Sequence, residues 1–189
     1  MNSTREEIIK TACQLIESQG YHATGLNQII RESGTPKGSL YYYFPDGKEE
    51  LAMEAILRTG SVVSERIHSC LNAIDDPAEA VRQFILTLAG HVATSEFRAG
   101  GPITTVALES ATTSERINAA CQEVYGSWRA AFADKLLLSQ FAPERARRLA
   151  ALIIAALEGA IVLSRTAHSI KPLHDVAEEL ALLIQDAHA

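Results

Sequence analysis

Two short apolar-periodic segments, 24–32 and 35–44, are separated by no more than Ser33 and Gly34. In the first, Leu26, Ile29 and Ile30 fall on one side of a helix; in the second, Leu40 and Phe44 sit four apart. Residues three and four apart share a helix face, so each segment has one face to bury. A glycine turn this short brings the two helices together at an angle, the pattern of a helix-turn-helix. Tyr41, Tyr42 and Tyr43 follow in a row. Neighbours on a helix point about 100° apart, so three consecutive rings cannot share one core, and at least one faces outward.

The rest of the chain continues in helical patterns punctuated by caps. Ser3 with Glu6 forms a capping box, Ile8, Ile9, Ala12, Leu15 and Ile16 repeat at helical spacing, and Gly20 fits the stop. Thr35 is read as the cap of the third helix with Pro36 at its first position, and Asp46 with Glu49 as the cap of the fourth. Asp76, Pro77 and Glu79 repeat the device for a helix to about Thr94. The stretch 95–103, with Gly100, Gly101 and Pro102, is a loop, followed by a short helix from Thr104. Longer helices are expected from Ser114 to about Ser139, from Pro143 to about Ala167, and from Pro172 onward. No period-2 run long enough for a strand appears. At 189 residues, 47% hydrophobic and 21% charged, the chain can bury a sizeable core. The expected fold is all-α, with about nine helices. A head over 1–48 and a larger helical body over 49–189 are the expected domains.

No apolar run approaches the roughly 18 residues of a membrane span, since the longest candidate, 149–163, is short and holds Glu158. Ala151, Ala155, Ala156, Gly159 and Ala160 make this stretch rich in small residues, which suits either a buried core helix or close approach between subunits. The N-terminus has no signal-peptide pattern. Cys13, Cys70 and Cys121 are odd in number and far apart, which argues against a disulfide framework and for a reduced, cytoplasmic setting.

The third helix carries residues suited to DNA. Lys37 offers a cation, Thr35 and Ser39 short donors, and Gly38 a place for close backbone approach. Tyrosine hydroxyls donate to phosphate oxygens. Lys48 adds a cation near the start of the fourth helix, where free N–H groups favour an anion. The charge balance opposes this reading: the net charge is −6, and the first fifty residues hold five basic and seven acidic side chains. The local surface decides, within a Debye length of about 8 Å, and 37–43 carries one positive and no negative charge. So few cations imply a shallow salt dependence per head and a need for two heads.

The stretch "TGLNQIIRESGTPKGSLYYYFPDGKEEL" resembles the DNA-binding head of the TetR family of transcriptional regulators. The likeness lies in Thr24, Ile29–Ile30, Gly34, Lys37–Gly38, Tyr41–Tyr42, Phe44 and Lys48–Glu49–Glu50–Leu51. It covers about residues 5 to 55 and is specific because many positions agree in register. Ser33 stands where alanine is usual, Pro36 where serine is usual, and Gly47 is an extra residue before the lysine. Within the family, "GYHATGLNQII" and "FPDGKEELA" are similar to the branch containing the lincomycin-resistance repressors.

The resemblance implies DNA contacts at Thr24, Thr35, Lys37, Gly38, Ser39, Tyr41, Tyr42 and Lys48, to which Tyr43 is added. Tyr42 and Lys48 would fix phosphates, Thr24 would hold one from the start of the second helix, and Thr35, Lys37, Ser39 and Tyr43 would lie nearer bases. It also implies a homodimer through the last two long helices, reading a palindromic operator, and release by a small apolar effector. Phe84, His91, Phe97, Trp128 and Phe132 are the candidate effector-pocket residues, although apolar residues at helical spacing are more often core.

His22, His68, His91, His168, His174 and His188 show no pairing suited to a metal, so neither metal nor cofactor is expected. The cysteines read as buried, inert thiols. No nucleophile elbow, P-loop, zinc-protease or dinucleotide motif is present, and no enzymatic activity is expected. The alternatives are an activator using the same head, and a helical small-molecule carrier or enzyme, which would need converging polar groups in a cavity.

Overall fold

The computed structural model describes residues 3–187; His188 falls outside them. Among the described residues every regular element is an α-helix: α1 (Thr4–Ala23), α2 (Leu26–Ser33), α3 (Lys37–Tyr43), α4 (Lys48–Asn72), α5 (Pro77–Thr94), α6 (Thr104–Ser110), α7 (Glu115–Leu138), α8 (Pro143–Ala167) and α9 (Lys171–Asp186). The all-α expectation holds.

Local chemistry accounts for several helix ends. The Ser3 side chain accepts the Glu6 N–H, and Asp76 accepts the Glu79 N–H at 2.7 Å with Pro77 at the first helical position. The third and fourth starts differ from the sequence expectation. Pro36 is extended (φ −61°, ψ 139°) and precedes α3 rather than opening it. The Thr35 hydroxyl is 2.8 Å from that of Ser33, and α3 has no side-chain cap. Asp46 does not cap α4; its own N–H donates to Glu50 at 3.0 Å. Gly20 breaks α1 as expected, but one more turn follows to Ala23.

The chain forms two compact units. The first comprises Met1–Ser61 and Pro102–Val124, the second Val62–Gly101 and Tyr125–Ala189. These units do not follow a division at residue 48. The first half of α4, all of α6 and the start of α7 belong with α1–α3.

In the first unit α1 packs on α2, α3 and α6. Ile8, Ala12 and Ile16 of α1, Ile29 of α2, Leu40 of α3 and Leu51 and Ile56 of α4 are buried, together with Phe44. The Arg5 guanidinium lies 5.5 Å over the Phe44 ring and pairs with Glu54. Burying side chains as large as Leu40 and Phe44 contributes about 1.5–3 kcal/mol each.

In the second unit α9 packs on α5 and α8. Phe84 and Phe132 meet edge to face in its core at 5.5 Å. α8 is more apolar than the sequence reading allowed: an 18-residue window has a mean hydropathy of 1.8, enough in length and composition to cross a membrane. Its apolar residues divide into two rows. Leu149, Ile153, Leu157, Ala160 and Ile161 are buried, whereas Ala151, Leu152, Ala155, Gly159, Val162 and Leu163 are exposed.

Gly60 of α4 is buried, and a Cβ there would stand 2.3 Å from Val124 Cγ2. Alanine in a helix interior ordinarily stabilises by about 1 kcal/mol over glycine. Here overpacking against a short branched side chain reverses the sign, at a typical cost of about 1–3 kcal/mol. Gly60→Ala is expected to lower the urea midpoint, and adding Val124→Ala to recover part of the loss by opening the space.

Candidate nucleic-acid interface

The surface of α3 follows from what its other face buries. Leu40 and Phe44 are wholly buried, which turns Lys37, Gly38, Tyr41 and Tyr42 to solvent. Tyr42 is 79% exposed and Tyr41 45%. Tyr43 is half-buried and meets the Tyr42 ring edge-on at 5.1 Å. Lys37 Nζ lies 5.9 Å from the Tyr41 ring centroid, and nothing would stand within 4 Å of a Cβ on Gly38. No intramolecular contact therefore demands glycine at 38. Thr35 and Ser39 are half-buried on the same segment. Gly34 makes the turn from α2, with φ 65° and ψ 16°, a conformation that favours glycine.

Two expected contacts are placed differently. Thr24 is buried, and its hydroxyl donates to the Gly20 carbonyl at 2.7 Å while its N–H donates to Tyr21 O at 3.2 Å. In this structure the Thr24 hydroxyl turns inward and ties the entry of α2 to the end of α1. Lys48 is half-buried; its Nζ donates to His22 O at 3.3 Å and sits 4.3 Å from the Tyr21 ring centroid. Partial burial pushes the Lys48 ammonium below the usual lysine value, and the Glu109 carboxylate pulls it back up. An ammonium has three donors, so Lys48 can keep this anchor and still face a phosphate.

Sequence reasoning missed the backing of this corner. Gly20 adopts φ 84° and ψ 173°, a region essentially confined to glycine. The N–H groups of Tyr21 and His22, freed by that break, donate to Glu109 Oε2 at 2.7 and 3.2 Å. No local pattern links residue 20 to residue 109.

The effector candidates belong to the second unit and are only partly brought together. Phe84 and Phe132 are paired, and Trp128 is buried and meets Tyr125 edge-on at 5.5 Å. His91 is exposed. Phe97 has φ 62°, stacks edge-on with His168 at 5.4 Å, and accepts the Arg165 Nε–H at its carbonyl. Among the described residues no group of three or more His, Cys, Asp or Glu is placed to hold a metal ion. Cys13, Cys70 and Cys121 are free; burial pushes the Cys13 and Cys121 thiols up, against weaker lowering by hydrogen bonds.

Comparison with known proteins covers both parts of the chain. Residues 8–55 match the family of bacterial regulatory proteins of the tetR family, and residues 77–179 match the LmrA/YxaF-like transcriptional regulator C-terminal domain. The uncharacterized HTH-type transcriptional regulator YxaF of Bacillus subtilis is 45% identical over 96% of this chain and 95% of its own. The HTH-type transcriptional regulator LmrA of the same organism is 41% identical over 90% of each. A crystal structure of a TetR transcriptional regulator from Chloroflexus aurantiacus, 30% identical, aligns over 96% of this chain and 94% of its own with a TM-score of 0.83. The helix-turn-helix geometry and these likenesses together assign the chain to the TetR family of DNA-binding transcriptional regulators, in the branch with an LmrA/YxaF-like C-terminal domain.

Proposed function

We propose that the chain is a homodimeric repressor that grips a palindromic operator with two copies of α3 and releases it when a small apolar ligand occupies the second unit. The observation that carries the DNA-binding surface is the outward row Lys37, Gly38, Tyr41 and Tyr42 above the buried Leu40 and Phe44. Tyr42 and Lys48 fix phosphates and set register, while Lys37, Ser39, Thr35 and Tyr43 lie nearer base edges. Gly38 lets the α3 backbone come close to the groove. Such a protein works in the cytoplasm, where its DNA is.

The exposed row on α8 supports the dimer. Ala151, Ala155, Gly159 and Val162 recur at helical spacing on the solvent side, flanked by Leu152 and Leu163, and Leu182 of α9 is 54% exposed. Small residues let two helices approach closely, and a two-fold axis through this face would pair it with itself. The same pairing accounts for an apolar stretch on α8 without a membrane. The buried Phe84–Phe132 pair and Trp128 supply the apolar lining that an effector would need in the second unit. Release follows if the ligand prefers a dimer whose two heads no longer match the operator spacing.

The test is fluorescence anisotropy on a duplex that the wild-type protein selects from a random pool, across a salt series. Tyr42→Ala removes one phosphate bond from each head. At about 1.5 kcal/mol apiece, affinity falls roughly a hundredfold. Lys48→Ala, which removes the cation assigned to a phosphate, flattens the slope of log K against log salt by about one per head. Equal binding to a scrambled duplex would sink the reading.

Gly38→Ala separates folding from recognition. With open space around the position, the variant is expected to keep or raise stability by up to about 1 kcal/mol, while its DNA affinity drops. Paired melting and anisotropy measurements check both signs. Ala155→Glu puts a charge in the α8 row and is expected to yield a folded monomer by sedimentation, with weak operator binding.

A further inference from the structure

Within the first unit, the stretch 109–116 contacts the end of α1 and the start of α4, and these two places bracket the helix-turn-helix. At one end the Glu109 carboxylate accepts the N–H groups of Tyr21 and His22, just before α2. A Cβ on Gly20 would stand 2.7 Å from Glu109 Oε1, so this approach uses the missing side chain as well as the backbone conformation at 20. At the other end, just after α3, Ser114 Oγ donates to Glu49, and the Arg116 guanidinium donates to Asp46 Oδ2 at 3.3 Å and to Glu49 Oε2 at 3.4 Å. Ser114 also accepts the Ile117 N–H at 3.1 Å, so the residue that caps α7 is the one that reaches Glu49.

From these observations we infer that Glu109 and Arg116 are positioning residues for DNA binding: they brace the two ends of the α2–α3 motif without touching DNA. The inference rests on the proposed α3 interface and adds what holds it in place. The path from Glu109 to the surface is short. Tyr21, held by its N–H, offers its ring to Lys48, and His22 offers its carbonyl to the same ammonium. Gly20, at the same corner, accepts the Thr24 hydroxyl that sets the entry of α2. A carboxylate is the fitting partner here, because N–H groups freed at the start of a helical turn carry partial positive charge. Amide N–H bonds to an ionised acceptor are also stronger than neutral ones. Without the brace, the head samples arrangements in which Lys48 and α2 are out of register. Apparent affinity then falls by the fraction of heads that remain competent.

The test compares wild type, Glu109→Ala, Glu109→Gln, Arg116→Ala and Tyr42→Ala in the anisotropy assay, with amide hydrogen exchange read at Tyr21 and His22. Glu109→Ala is expected to bind about tenfold more weakly, with exchange at those two amides accelerated and thermal stability near that of wild type. Glu109→Gln, which keeps an acceptor oxygen, is expected to recover affinity to within about threefold of wild type. Arg116→Ala carries the same direction of effect, about threefold, and stands in for Glu109→Ala should that variant fail to fold. Binding by both alanine variants within twofold of wild type, while Tyr42→Ala lowers it roughly a hundredfold, would overturn the brace and leave the DNA-binding reading intact. A loss in Glu109→Ala that Gln does not rescue and that tracks global unfolding would also overturn it. If wild type selects no duplex, both readings fall together.

Discussion

The anchoring of Leu40 and Phe44 in the first unit decides what α3 can present. Both are wholly buried, Leu40 within the seven-residue helix and Phe44 as the residue that ends it, and together they fix the helix's rotation. Tyr41 and Tyr42 must then face outward, although tyrosine rings would gain from burial. Arg5, stacked over Phe44 and paired with Glu54, closes the same core from the other side. The proposed recognition surface is thus a by-product of core packing: the apolar positions choose the orientation, and the remaining positions are free to carry chemistry.

The proposed interface gives electrostatics a smaller role than in most nucleic-acid binders. A chain of net charge −6 cannot hold DNA by bulk attraction. Lys37 stands exposed on α3, while Lys48 is already engaged by Tyr21 and His22. On the proposed interface, neutral donors, a close backbone and doubling of the site would carry the rest. Such an interface would favour discrimination over non-specific retention, because the salt-sensitive, sequence-blind part of the affinity would be low.

Much of this was legible in the sequence because its determinants are local. The cap of α5 needs Asp76, Pro77 and Glu79, all within one turn. The glycine at 34 supplies the one left-handed residue that the motif requires. The outward tyrosines follow from helical periodicity alone. What was not legible depends on distant partners or on competition between nearby ones. Thr35 does not cap α3 because the extended Pro36 takes the cap position one residue later, and the Thr35 hydroxyl meets Ser33 instead. Thr24 turns inward because a broken α1 leaves the Gly20 carbonyl within reach. Glu109 meets Gly20 across 89 positions of sequence, and nothing in either neighbourhood announces the other. The two rows of α8 show a further limit: composition revealed small residues, but burial was needed to place Ala155 and Gly159 outside while Ala160 lies inside.

That outer row has a consequence for how such a regulator behaves at low copy number. If two chains must meet along α8 before either head is useful, the active species grows with the square of the chain concentration when dimers are scarce. Halving synthesis would then remove about three quarters of the operator-competent molecules. A protein acting on its own promoter through such a step responds to its own abundance more steeply than any single head could.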